Sequence, residues 1–84
     1  MHYHDDFILQ FDALPKSIAE RAVTKLELFS SNPFHASLRT HKLLGKLVGH
    51  WSISINMKYR IIFKPQDNGD ILLVSVGTQS IYEK

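Results

Sequence analysis

"GHWSISINMKYRIIF", Gly49 to Phe63, decides how this chain folds. Trp51, Ile53, Ile55 and Met57 alternate with Ser52, Ser54, Asn56 and Lys58, the period of two that a half-buried strand requires. "YRIIFKP" follows almost at once, so the two runs read as a tight antiparallel hairpin turning at Asn56 to Lys58. Tyr59, Ile61 and Phe63 then share one face of the second strand, while Arg60, Ile62 and Lys64 share the other. That second face meets Ser52 and Ser54 of the neighbouring strand, which predicts a shallow polar trough with an arginine held in it. An arginine standing in water adds under ~1 kcal/mol to folding, so Arg60 asks for a task other than stability. Trp51 lies on the Ile53 and Ile55 side and is expected in the core.

Working toward the C-terminus, "QDNGD" contains Asn68-Gly69, a hairpin signal because a type I′ turn needs positive φ at both central residues. "ILLVSVG" is apolar and β-branched without clean alternation, as a central strand covered on both faces is. Toward the N-terminus, "DALPKSIAERAVTKLELFSSNP" reads as a helix with Pro15 in its first turn and Ile18, Ala22, Leu26 and Phe29 along one apolar stripe. Asn32-Pro33 stops it. A shorter helix is expected over His35 to Leu44, ending at Gly45. "DDFILQFD" alternates weakly, with Phe7, Leu9 and Phe11 on one side, and reads as a first or edge strand. The class is α+β, one domain over residues 1–84: an N-terminal strand, one long and one short helix, then a three-stranded antiparallel meander.

A chain of 84 residues buries only about 60% of the surface its unfolded form exposes. At 44% hydrophobic and 21% charged it has a globular composition, and with no cysteine it builds neither a disulfide nor a thiolate metal site. The N-terminus lacks a basic and apolar leader, and no run approaches the ~20 apolar residues that span a bilayer. A soluble cytoplasmic protein without membrane contact is expected. The formal charge of +2 conceals a segregation: no carboxylate lies between Arg39 and Gln66, a span that holds Arg39, Lys42, Lys46, Lys58, Arg60 and Lys64. Such a span suits a polyanion or an acidic partner, although a solvated basic face would look the same.

A helix ending in "NP", then "HKLLGKLVGHWSISINMKYRIIFKP", then "LLVSVGTQSIY" resembles the RelE/ParE superfamily of toxins from bacterial type II toxin–antitoxin modules. The likeness covers nearly the whole chain and is strongest from His41 to Lys64. "HKLLGKLVGHWSISIN" and the "GT…Y" ending are similar to the HigB-like and YafQ-like ribonuclease branches. The resemblance implies a RelE-like fold, a curved antiparallel sheet packed on helices, and an acidic antitoxin as partner. It also implies one of two activities. RelE-like members cleave mRNA on the ribosome, without a metal or other cofactor, whereas ParE-like members poison DNA gyrase. A basic domain that only binds its protein partner is the third reading.

Cleaving RNA by attack of a 2′-hydroxyl on the adjacent phosphorus needs a base, a cation for the charge building on phosphate, and an acid for the departing 5′ oxygen. The resemblance places the family's catalytic arginine at Arg60, whose planar fork matches phosphate oxygens. His41, in "THKLLG", matches an active-site histidine of YafQ-like members and is of the type that moves protons near neutrality. Tyr82 matches the aromatic that closes the family's ending, where a ring stacks on a base or a hydroxyl reaches the phosphate. Lys42, Lys46 and Lys58 are candidates for flanking phosphates, although any one of them reads more readily as a solvated charge. His50 is a weaker candidate beside Trp51. Gln79 departs from the pattern: many relatives carry histidine after "GT", and glutamine can contact RNA but cannot move a proton near pH 7. The sequence offers no clustered ligands for a metal.

Overall fold

The computed structural model describes residues 1–83. Its elements are β1 (His2–Tyr3), α1 (Asp5–Asp12), α2 (Lys16–Ser31), a 3₁₀ turn (Ala36–Leu38), β2 (His41–Lys42), a second 3₁₀ turn (Gly45–Leu47), β3 (Trp51–Ser54), β4 (Arg60–Pro65), β5 (Ile71–Gly77) and a closing 3₁₀ turn (Gln79–Glu83). The strands form one sheet in the order β1-β5-β4-β3-β2, antiparallel throughout except where β1 runs parallel to β5. No helix is long and apolar enough to cross a membrane among the described residues.

The expected meander is present, and the hairpin between β3 and β4 turns where the sequence places it. Asn56 Oδ1 accepts the backbone N–H groups of Lys58 and Tyr59 at 2.9 and 2.8 Å, the way an asparagine side chain imitates a turn. The α2 stripe is also as read. Ala22 and Phe29 are buried, Ile18 and Leu26 pack against the same core, and the Phe29 ring lies 4.8 Å from that of Phe63. Trp51 is half-buried, its ring 6.4 Å from Phe63, on the core side as expected.

Three expectations are corrected. "DDFILQFD" is helix α1, not a strand, and the N-terminal strand is the two residues before it. His4 caps the helix by accepting the Asp6 N–H at 3.0 Å, and Asp5 and Asp6 stand in the first turn, where carboxylates favour the helix dipole. Phe7, Phe11 and Leu14 then face the core at helical spacing, while Leu9, assigned to their side by alternation, is 70% exposed. The short helix at His35 to Leu44 reduces to the turn Ala36–Leu38, because Arg39 takes a left-handed φ of 50° that ends it and β2 begins two residues later. The 66–70 connection is not a two-residue type I′ turn either. Gly69 alone is left-handed there, at φ 87°, and Gln66 accepts its N–H at 3.0 Å.

β4 buries three consecutive residues, Ile61, Ile62 and Phe63, which a strand open to water on one side does not do. Ile61 and Phe63 belong to the helix-side core. Ile62 shares the opposite face with its register partners Ser52 and Ser75, and the pairing shifts by a residue between Ile62 and Phe63. The closing turn covers this face. Ile81 is buried and Tyr82 OH lies 2.8 Å from Ser52 Oγ. A methyl added at Gly77 would stand 2.9 Å from Ile81 Cγ2, so glycine permits this close return of the chain. The polar trough predicted along Ser52 and Ser54 is therefore roofed at Ser52, and both serines are buried.

β1 is too short to pair with all of β5, and Gln10 of α1 completes the edge: its Oε1 accepts the Val76 N–H at 2.9 Å. Gln10→Leu strands that buried donor, and the expected cost is about 1–3 kcal/mol, readable as a lower midpoint in urea unfolding with the slope unchanged. The start of the chain is held at the same edge. Asp70 receives the Met1 amine at 2.9 Å and His2 Nε2 at 2.6 Å. The amine, then the Ile71 N–H, then the His2 charge hold the Asp70 carboxyl below its ordinary value.

Candidate functional site

Side chains directly opposite one another in an antiparallel sheet share a face. The register therefore lines up His41, Ser52, Ile62 and Ser75 in one row and Ser54, Arg60 and Gly77 in the next. His41 and Arg60 thus lie on one sheet face, roughly 12 Å apart at Cα by ordinary strand spacing. The Ser52–Tyr82 hydrogen bond brings the Tyr82 phenol beside the His41 row. Of the three residues assigned to catalysis from the sequence, His41 and Tyr82 flank Ser52, and Arg60 stands on the same face one row away.

His41 is exposed, with Nδ1 2.8 Å from the Arg39 carbonyl oxygen. A carbonyl only accepts, so Nδ1 of the neutral ring carries the hydrogen and Nε2 is left with its lone pair free to take a proton. Arg60 differs from the exposed arginine expected. It is half-buried, and its Nη1 donates to the Tyr59 carbonyl at 3.0 Å and to that of Asn56. These bonds draw the guanidinium toward the 55–59 loop, on the far side of its row from His41, and tie the loop down. Among the described residues Nη2 and Nε have no protein acceptor.

Around Arg60 lies a cleft of about 350 Å³ at the loop end of the β3–β4 hairpin, lined also by Arg21 and Lys25 of α2, by Ser37 of the first 3₁₀ turn and Arg39 just after it, and by Ser54 to Met57. It holds four cations and no carboxylate. Among the described residues no lysine or arginine is paired with a carboxylate, and Asp70 instead holds the Met1 amine and His2.

The remaining candidates scatter. Lys42 faces away from His41, its Nζ 5.5 Å over the Trp51 ring, so it serves the aromatic side of the sheet. Lys46 is exposed on the second 3₁₀ turn, Lys58 is exposed at the hairpin tip outside the cleft, and Gln79 is exposed on the closing turn. His50 is a loop residue whose backbone bonds Leu43 and Leu47, and its buried Nδ1 has no partner. Arg21 and Lys25 were not among the sequence candidates. Their signal was present, as two cations one helical turn apart, but they lie outside the carboxylate-free span that drew attention. Among the described residues no three metal-ligating side chains come together.

A family model described as the ParE toxin of type II toxin–antitoxin systems, parDE, matches residues 2–81. No curated protein matches the chain. Among solved structures, YafQ from Escherichia coli strain BL21(DE3) superimposes with a TM-score of 0.83 at 18% identity, covering 99% of this chain and 96% of that one. A YoeB/ParE toxin from Agrobacterium tumefaciens gives 0.77 at 12% identity, covering 93% and 95%. An archaeal RelE–RelB complex from Pyrococcus horikoshii OT3 gives 0.72 at 17% identity, covering 93% and 91%. At these identities the likeness is one of fold.

Proposed function

Because this chain belongs to the family of ParE toxins of type II toxin–antitoxin systems, we propose that it is the toxin of such a module and acts in the cytoplasm as a ribosome-associated mRNA endonuclease that needs no metal. One observation carries the choice of chemistry: His41, with Nε2 free, and Arg60, at the edge of an unneutralised cationic cleft, share one face of the sheet. His41 Nε2 takes the proton of a ribose 2′-hydroxyl. The 2′ oxygen then bonds to the adjacent phosphorus as the P–O5′ bond breaks, leaving a 2′,3′-cyclic phosphate and a 5′-hydroxyl. Arg60 stabilises the charge on the non-bridging oxygens through Nε and Nη2, and Tyr82, hydrogen-bonded to Ser52 next to the His41 row, supplies the proton for the 5′ oxygen. Gln79 supplies contacts only.

An acidic antitoxin is the expected partner, in keeping with the RelE–RelB pairing of the similar archaeal structure and with the carboxylate-free span from Arg39 to Gln66. The family description favours a second reading, a ParE-like gyrase poison without nuclease chemistry. Purified protein added to a translating extract separates the two. Discrete mRNA breaks ending in cyclic phosphate are expected. Intact mRNA together with inhibited supercoiling by gyrase would replace the nuclease with the poison.

A further inference from the structure

The cleft beside Arg60 is built at a cost that its own contacts do not offset. Arg21 and Lys25 stand one turn apart on α2, where like charges repel by a few tenths of a kcal/mol, and neither is paired with a carboxylate although Glu20 and Glu27 lie on the same helix. Lys25 and Arg60 are both half-buried, so part of their solvation has been given up on entering the same cleft. Arg39 is the one residue other than glycine with positive φ among the described residues, at φ 50° and ψ 43°. A left-handed conformation costs a side-chain-bearing residue about 1–2 kcal/mol, and glycine or asparagine would make the same bend at lower cost. The bend is nevertheless held firmly. The Arg39 N–H bonds the Ala36 carbonyl at 3.2 Å, its own carbonyl receives His41 Nδ1–H at 2.8 Å, and Thr40 Oγ1 donates to Pro33 O at 2.5 Å.

Four cations without a counter-charge call for a ligand with several negative charges, and the rest of the lining says which kind. Ser37, Ser54 and Asn56 offer neutral polar groups, and of the two apolar members Ile55 is buried, which leaves Met57 as the one exposed apolar side chain, whereas a peptide that folds as it binds needs a broad apolar surface to cover. Such a surface exists elsewhere: Met1, Tyr3, Phe7, Val23 and Leu26 line a separate groove between α1 and α2, which shares no residue with this cleft. A hydrophilic, regularly charged backbone fits the cleft, and arginine forks match phosphate oxygens.

We propose that Arg21, Lys25 and Arg39, converging with Arg60, clamp the sugar–phosphate backbone of single-stranded RNA beside the point of cleavage. RNA thus crosses α2 rather than following Lys42, Lys46 and Lys58. The inference rests on the ribonuclease reading for the choice of RNA, and its test is independent of cleavage. The probe is a 2′-O-methyl RNA oligonucleotide, which has no attacking hydroxyl, titrated by fluorescence anisotropy at two salt concentrations against the full chain.

The Arg21→Gln/Lys25→Gln double variant is expected to bind at least ~10-fold more weakly. Its salt dependence should be shallower by about 1.4 in slope, two single-strand phosphate contacts at ~0.7 each. Arg39→Gly should raise the melting temperature, because glycine makes the same left-handed bend without strain, and still weaken binding. Lys16→Gln, the same loss of charge on the same helix outside the cleft, should stay within twofold of the parent. Where Lys25→Gln lowers the folded fraction, Lys25→Met keeps the buried stem and serves instead. A double variant that binds within twofold of the parent overturns the clamp. So does an equal loss in Lys16→Gln, which would make net charge the only determinant, or a polyglutamate peptide that binds this cleft more tightly than RNA. A parent protein that binds the probe but never cuts mRNA sinks the nuclease and leaves the clamp. One that cuts mRNA while the double variant binds and cuts equally well keeps the nuclease and removes the clamp.

Discussion

Arg60→Ala, measured at 25 °C on protein shown by circular dichroism to be folded, cleaves mRNA at least ~100-fold more slowly than the parent and no longer arrests growth, because preorganised transition-state donors are typically worth that much. The same substitution lowers the melting temperature. Read from the sequence, Arg60 stands in water and its loss leaves stability almost untouched. In the structure its Nη1 secures the Asn56 and Tyr59 carbonyls, and hydrogen bonds from a charged donor contribute about 1.5–3 kcal/mol. For a domain of this size that corresponds to roughly 6–24 °C at ~4–8 °C per kcal/mol. Arg60→Lys keeps one donor and the charge but loses the fork, so it should recover part of the stability and only a small part of the rate. A folded Arg60→Ala that cleaves within threefold of the parent shows that this arginine serves the loop alone.

The second large effect is expected at His41. Its ring is exposed and its one hydrogen bond goes to the Arg39 carbonyl. Glutamine keeps a similar length and offers an amide donor in place of Nδ1–H, but it cannot carry a proton. His41→Gln should therefore leave the unfolding transition within about 0.5 kcal/mol of the parent, as surface substitutions do. Cleavage should fall by about 10²–10⁴. The pH profile separates a proton-transfer role from a positional one. Single-turnover cleavage by the parent should vary with pH in a way that His41→Gln does not share. An unchanged profile with a lowered plateau would reduce His41 to a prop for Arg39.

Much of the sheet was legible because its signals are local. The alternation from Trp51 to Ser54 and the apolar stripe of α2 each show which side of one element faces the core between sheet and helices, and the asparagine in the 55–59 loop marks the turn. α1 was misread because eight residues hold barely two helical turns, and in so short a run Phe7, Leu9 and Phe11 fit a period of two as well as Phe7 and Phe11 fit 3.6. The cap that settles the matter is a histidine, which is not a usual member of the capping set.

What the sequence determined by itself was the α+β class, the meander, the long helix and the arginine, histidine and tyrosine to be weighed, since each of these is written in neighbours along the chain. The tertiary structure alone decided where the charges meet. Arg21 and Lys25 are 35 or more positions from Arg60, and no period relates a helix face to the far end of a hairpin. The same holds for the roof that Ile81 and Tyr82 place over Ser52, and for the Gln10 side chain that finishes the edge of β5. These are contacts made across the chain after the elements have formed, and they depend on how the layers pack, a quantity that local pattern does not encode.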